Sequence, residues 1–517
     1  MNRPPPLRQA TLAGAAALTL AALLACSSDA LRAHEWPSPK PPAPAHSQPP
    51  SPAGGWSGTL WAGPEAGAPA APSARDCARA PQSFEIGAGP QWDAPRQIGL
   101  ARRSDRAPRE REPERAAAGK WAAPASTLAP AAPTAMADAL RPLAKAEARS
   151  ELAPVMQALP PTRPADEPVS AGVVDDNADF GAYLAYRERR AQRPVRARDV
   201  RERYGLTVHD ARGRPVPDAE IAVFAGSAGK EALPLWARTD ASGHAWLHPQ
   251  AAIPGLAASL LEIQVRDGRS GARGSALLQR GQKHALQITL GDAGRQPPKP
   301  QLDIAFLIDA TGSMGDEIDK LKRSMHAVAE QIAQLPSRPD VCYGLVAYRD
   351  RGDAFFVRGA DFSNDLGAFQ HQLAQLHADG GGDTPEALNE ALHTAIHRLS
   401  WRGDGTARMI LLVADAPPHL DYGAPYYDND ATAALAKGIK LFAVGASGLD
   451  PVGEYVFRQA AQYTGGRFVF LTYADAHRPS SGPGRETVHE VRNYSVETLD
   501  ALIVRLVREE LAAWPKG

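Results

Sequence analysis

LDIAFLIDATGSMGDEI, residues Leu302–Ile318, decides the fold of this chain. The apolar run Ile304–Ile308 reads as a strand and delivers Asp309 to its end. Thr311 and Ser313 follow at alternate positions, and Gly312 and Gly315 loosen the turn into a helix. One carboxylate and two hydroxyls spaced in this way can converge on a hard divalent cation. Mg²⁺ takes octahedral oxygen ligands and keeps water where the protein supplies few. With one formal charge among three ligands, the cation is left under-neutralised and open to an outside carboxylate. The alternative is an ordinary strand-to-helix turn capped by Thr and Ser.

The chain downstream alternates strand and helix patterns. Glu317–Leu335 places Ile318, Leu321, Met325, Val328 and Ile332 at helical spacing. Val341–Tyr348 and Phe355–Val357 read as strands, and Asp365–His377 as a helix. The loop GGGDTPEA, Gly380–Ala387, runs into a helix opened by Pro385 and ending near Leu399. Ala407–Asp415, Ile439–Ser447 and Gly466–Leu471 read as further strands. Such alternation predicts an α/β domain, a doubly wound and mostly parallel sheet covered on both faces. Ligand sites in these sheets lie beyond the carboxyl ends of strands. Asp309 and Asp415 both fall there.

These motifs resemble those of the von Willebrand factor type A family over about Pro300–Trp514. The family's metal loop reads Asp-x-Ser-x-Ser, and Thr311 here replaces the middle Ser while keeping the ligand atom. GGGD-x-PE together with DAPPH looks like a bacterial branch of the family. The resemblance implies a metal-ion-dependent adhesion site holding Mg²⁺, or Mn²⁺ or Ca²⁺, on Asp309, Thr311 and Ser313. It also implies Asp415 as a ligand acting through water, and a hydroxyl from a second loop. That loop offers both Asp383 and Thr384. A direct Asp383 would add a negative charge and lessen the pull on an anionic partner. The implied partner is a protein offering an Asp or Glu carboxylate. His419, Tyr422, Tyr426 and Tyr427 follow the Asp415 strand in an aromatic, acidic tract, and would suit a protein contact or a solvated loop.

The N-terminus carries an export pattern. Arg3 and Arg8 precede the apolar run Thr11–Ala25, too short to span a membrane comfortably and of signal-peptide proportions. LLAC at Leu23–Cys26 resembles a bacterial lipobox with Cys26 lipidated. The expectation is an envelope protein anchored through Cys26, in the outer membrane where there is one. The alternative is cleavage after Ala30, giving a soluble periplasmic or secreted protein. From residue 26 to about 170 the chain is rich in Pro, Ala and Arg, and more than half of its 47 prolines precede Ala171. Such composition buries too little apolar surface to offset ordering entropy, and predicts a disordered tether.

Residues 171–199 contain a lead-in helix pattern, Asp175–Arg190. Short strands with Gly and Asp turns then recur across Val200–Asp292, predicting a small all-β sandwich of about ninety residues. It resembles carboxypeptidase-regulatory or transthyretin-like modules. GRQPPKP, Gly294–Pro300, links it to the metal-loop domain.

Several function classes fall away. A net charge of −1 over 517 residues gives no field for nucleic acid. GSAGK, Gly226–Lys230, lacks the Ser or Thr of a phosphate loop, so no nucleotide is expected. His393 and His397 stand four apart on a helix, but no Glu follows His393 as zinc proteases require. RGD at Arg351–Asp353 and Arg402–Asp404 reads as chance turns. Three cysteines exclude a disulfide-built fold, and Cys342 reads as a buried, inert thiol not paired with Cys77. The chain reads as a binding module and not as an enzyme. A metal-assisted hydrolase, or a scaffold whose metal site does not exchange ligands, are the alternatives.

Overall fold

The structure, a computed structural model, describes residues 71–88, 168–226, 231–282, 285–292, 299–382, 384–403 and 405–514. Elements begin with β1 (Ser83–Ile86), β2 (Ser170–Val174) and α1 (Phe180–Arg189). Strands β3 (Tyr204–His209), β4 (Glu220–Ala225), β5 (Glu231–Arg238) and β6 (His244–Leu247) follow. A short helix α2 (Pro249–Ala252) precedes β7 (Leu260–Arg266), β8 (Arg273–Gln279) and β9 (Leu286–Thr289). The remainder runs β10 (Gln301–Asp309), α3 (Ile318–Ala333), β11 (Asp340–Tyr348), β12 (Val357–Ser363), α4 (Leu366–Ala374) and α5 (Leu388–His397). It ends with β13 (Thr406–Ala414), α6 (Tyr427–Lys437), β14 (Ile439–Gly445), α7 (Pro451–Thr464), β15 (Phe468–Thr472), β16 (Val496–Thr498) and α8 (Leu499–Ala512).

The main sheet has nine strands in the order β1-β12-β11-β10-β13-β14-β15-β2-β16. Its centre, β11 to β15 through β10, β13 and β14, is parallel. Antiparallel strands finish both edges: β12 and β1 on one side, β2 and β16 on the other. The fold class is therefore the mixed α/β architecture expected. Strand β10 explains the two-layer cover. Ile304, Phe306 and Ile308 pack with α3, α4 and α8, while Ala305 and Leu307 pack with α5, α6 and α7. Alternate residues point to opposite faces, so a strand buried on both must be apolar throughout. Helix α3 buries Ile318, Leu321, Met325, Val328 and Ile332, the stripe its spacing predicts. Helix α7 starts on an Asp450 cap with Pro451 in its first turn and stops at the left-handed Gly465.

A second, smaller unit holds two sheets, β6-β3-β9 and β5-β4-β7-β8. Both contribute to one core, with Leu206, Val208 and Ile288 from the first and Ile221, Val223 and Ile263 from the second. That core also takes in Ala431, Leu435, Tyr455 and Tyr463 from α6 and α7. The small unit is thus packed on the helical face of the large one. Its turn residue Asp218, at φ +59°, accepts from Arg408 of β13 at 2.7 Å and from the Gly405 N–H at 2.7 Å. All of these side chains are buried.

Several expectations need correction. Residues 71–88 do not belong to a disordered tether, because β1 closes the sheet edge beside β12 and Cys77 is disulfide-bonded to Cys342 of β11. Cα–Cα separation across that bond is 6.1 Å, over 265 residues of sequence. Composition averages over a long window and cannot see one short strand paired at distance. Likewise residues 170–174 precede the lead-in helix as a sheet strand, and the expected strand at Phe355–Val357 lies at Val357–Ser363 instead. In the second RGD, Arg402 is not in an open turn but buried, and it binds Asp303 at 2.6 Å and Asp340 at 2.9 Å. Cys26 lies outside the described residues. Among the described residues no helix is long and apolar enough to cross a membrane.

Candidate functional site

The site lies where β10 and β13 end. Strand β10 brings Asp309 to the edge of the buried layer, and the chain turns through Gly312–Asp316 in a single 3₁₀ turn before α3. Asp309 is fully buried. Its Oδ1 accepts from the Thr311 N–H at 3.0 Å and from the Thr311 hydroxyl at 2.7 Å. The Thr311 and Ser313 hydroxyls are 3.0 Å apart, with Thr311 buried and Ser313 exposed. Asp415 directly follows β13 and is likewise buried.

The second loop is held by its own turn geometry. Gly380, Gly381 and Gly382 all have positive φ, at +75°, +67° and +129°. Only glycine takes such a run cheaply. Asp353 clamps it, accepting from the Gly381 N–H at 2.9 Å and from the Asp350 N–H at 3.0 Å. Arg349 fixes the same corner, donating to the carbonyls of Ala310 at 3.0 Å and His377 at 2.8 Å. Thr384 is exposed at the loop tip, and Asp383 lies outside the described residues. Glu386 is buried, with its backbone bridged to the loop after β13: its N–H reaches the Pro417 carbonyl at 3.0 Å, and its carbonyl takes the His419 N–H at 3.1 Å.

Buried carboxylates therefore crowd together. Burial, and then the charge of Asp415, pushes the Asp309 carboxyl up to about 7, while the Thr311 N–H and hydroxyl pull it down. Burial raises Asp415 too, against the Ser313 hydroxyl. Glu386 is pushed up to about 9 by burial and then by Asp309, Asp350, Asp353 and Asp415. One turn further along, Glu390 is raised to about 7, mainly by burial. Asp309 Oδ2, Asp415 Oδ1 and Glu386 Oε2 are buried without a hydrogen-bond partner. An orphaned buried carboxylate oxygen is costly. Several of them around two hydroxyls are the donor set that a hard divalent cation neutralises, so these residues fit Mg²⁺ or Mn²⁺.

The structure brings Asp309, Thr311, Ser313 and Asp415 together. Sequence reading missed Glu386, Asp353, Arg349 and Asp350. Glu386 stood within the quoted GGGDTPEA loop and Asp353 within the first RGD. What they lacked was any local sign that their side chains turn inward.

The aromatic tract divides. His419 is buried, stacks on Tyr422 with ring centroids 3.7 Å apart, and lies 2.8 Å from Asp421. Tyr422 donates to Asp350 at 2.9 Å and carries the Arg351 guanidinium over its ring at 3.9 Å. Tyr426 is half-buried beneath Arg196. Tyr427 cannot serve as a partner contact: it is buried in the first turn of α6, and its hydroxyl donates to the Arg196 carbonyl at 2.9 Å. A helix's first turn packed on a sheet has an inner side, and Tyr427 occupies it.

Residues 303–419 match the von Willebrand factor A domain. Von Willebrand factor A domain-containing protein 7 of Rattus norvegicus is 35% identical over 178 residues, covering 34% of this chain and 17% of that protein. The Homo sapiens protein of the same name gives the same identity and coverage. Alpha-protein kinase vwkA of Dictyostelium discoideum is 29% identical over 148 residues, or 27% of this chain and 22% of the kinase. The chain spans about a fifth or less of the length of these relatives.

Proposed function

We propose that this chain, whose residues 303–419 are a von Willebrand factor A domain, is a divalent-cation-dependent protein-recognition module displayed on a cell envelope. The observation that carries the reading is the set of orphaned buried oxygens on Asp309, Asp415 and Glu386 at the strand ends. Asp309, Thr311 and Ser313 hold the cation, Asp415 acts through water, and Asp383 or Thr384 completes the set. When bound, the cation offers a position open to an Asp or Glu carboxylate of a partner protein. Ser313 and Thr384 are both exposed, so their hydroxyls are open to an arriving carboxylate. Tyr422, with Arg351 above it, extends the contact face.

The Cys77–Cys342 bond supports an exported location, since disulfides persist in oxidising compartments. Anchoring through a lipidated Cys26 belongs to the same proposal. Binding is preferred to catalysis because the grouped carboxylates and hydroxyls suit a held cation, and the sequence carries no complete Ser-His-Asp, zinc-protease or nucleotide-loop motif. The test is capture from envelope extracts in Mg²⁺, eluted with chelator, using the parent and Asp309→Ala. Retention of the same protein by the variant, or after chelation, overturns the metal-dependent reading. Metal-stimulated hydrolysis of peptides or phosphoesters by the parent overturns the non-enzymatic one.

A further inference from the structure

A second cluster of metal-ligating side chains lies away from the strand ends, on α5 and α6. His393 and His397 are one turn apart on α5, so their imidazoles leave the same face. Their rings stack with centroids 4.3 Å apart. Asp430, in the first turn of α6, meets both. Its Oδ1 lies 3.0 Å from His393 Nδ1 and 2.9 Å from His397 Nε2. Donor atoms of all three residues fall within 4.8 Å of one another.

We propose that His393, His397 and Asp430 form a site for a zinc-class transition-metal ion, distinct from the carboxylate site at the ends of β10 and β13. Two features favour a metal over a simple hydrogen-bonded trio. Two imidazoles and a carboxylate already gather their donor atoms within 4.8 Å, so little rearrangement separates the trio from a ligand set. The second carboxylate oxygen, Asp430 Oδ2, is buried without a hydrogen-bond partner, and the Asp430 side chain is only 5% exposed. Tetrahedral zinc with bonds near 2.1 Å sets its donor atoms about 3.4 Å apart, so a small outward shift of the imidazoles admits the ion. The imidazole side chains are 38% and 31% exposed, which gives the ion a route in and leaves a fourth position to water.

Ligand chemistry separates the two sites. Two imidazoles and one carboxylate suit Zn²⁺, Co²⁺ or Ni²⁺, whereas carboxylates and hydroxyls suit Mg²⁺ and Mn²⁺. The i,i+4 histidine pair is a recurrent zinc arrangement on helices. Here the third ligand comes from the next helix, so the ion would staple α5 to α6. These are the helices that follow Glu386 and the aromatic tract.

The experiment uses the full chain, stripped of metal and then saturated with Mg²⁺ to occupy the other site. Zn²⁺ is titrated calorimetrically, and Co²⁺ is followed by its visible absorption. The expected result is one added equivalent of Zn²⁺, and Co²⁺ bands of four-coordinate intensity that Zn²⁺ abolishes. His393→Gln and His397→Gln each weaken Zn²⁺ binding at least tenfold, and Asp309→Ala leaves it unchanged. The exposed histidine variants serve as the primary test because Asp430→Asn alters a buried group. Equal Zn²⁺ affinity and stoichiometry in parent and the His393→Gln/His397→Gln double variant would overturn the proposal, as would Co²⁺ spectra showing only six-coordination.

Discussion

Gly312 donates its backbone N–H to the carbonyl of Gly380 at 2.9 Å, tying the first metal loop to the glycine run of the second. A Cβ placed on Gly312 would come within 2.7 Å of that same oxygen. The two loops therefore approach as closely as backbone allows, which positions the Thr311 and Ser313 hydroxyls. Gly312→Ala must part them. The expected outcome is a stability loss of about 1–3 kcal/mol and at least tenfold weaker Mn²⁺ binding. Thermal melts and titration calorimetry check both, and unchanged affinity would mean that the loop contact does not set the site.

Asp218 sits between Arg408 and Arg238, both buried, and the two guanidinium groups hold its carboxyl down at about 2 against burial. Asp218→Ala removes the carboxylate partner of buried Arg408, while Arg238 keeps Glu220 at 2.7 Å. The expected loss is about 3–5 kcal/mol, read by urea denaturation. Restoration by the further change Arg408→Met would confirm that the unpaired charge is the cause. A loss below about 1 kcal/mol would mean that the junction is held by its apolar core alone.

Cys77→Ser frees the 71–88 segment from β11 and leaves β1 held by its pairing with β12 and the Arg79–Asp361 contact of 2.7 Å. Closing so long a loop contributes about 2–5 kcal/mol. The variant, and the reduced parent, should gain protease cleavage within residues 71–88 while the sheet core stays resistant. Identical digestion patterns in oxidised and reduced protein would contradict this.

His248 is buried at the N-terminus of α2, stacked on Tyr463 of α7, and neither of its ring nitrogens finds a partner. Burial, with Arg203 and Arg187 nearby, pushes its pKa down to about 3. Below pH 6.5 the unfolded chain takes up a proton that the folded chain refuses. Stability therefore falls as pH drops from about 6.5 toward 3, at up to about 1.4 kcal/mol per unit. His248→Phe keeps the stacking and removes the titration. Between pH 7 and pH 5 the parent should lose about 2 kcal/mol more than the variant in urea denaturation. Equal losses would place the acid sensitivity elsewhere.

What the sequence discloses here follows the range of the interactions involved. Strand β10, helix α3 and the Asp309–Thr311–Ser313 turn are legible because periodicity and alternate spacing are local. Strands β1 and β2 were not, since four or five residues at a sheet edge carry no pattern until their partners are known. The Cys77–Cys342 bond and the Asp303–Arg402 pair are contacts at distance, which residue types alone cannot pair. Glu386 and Asp353 were visible as residues, but only the inward turn of the loops makes them part of the site. Tyr427 shows the reverse error, where an aromatic residue in an acidic tract turned out to be core.

The central claim is tested most directly by titrating Mg²⁺ and Mn²⁺ into metal-free parent and Asp309→Ala protein while following thermal stability. The account predicts a melting temperature that rises with either ion in the parent. It predicts no rise in Asp309→Ala, whose melting temperature without metal is equal to or above that of the parent, because a buried and repelled carboxylate has gone. An equal rise in both proteins would remove Asp309 from the site and contradict the account.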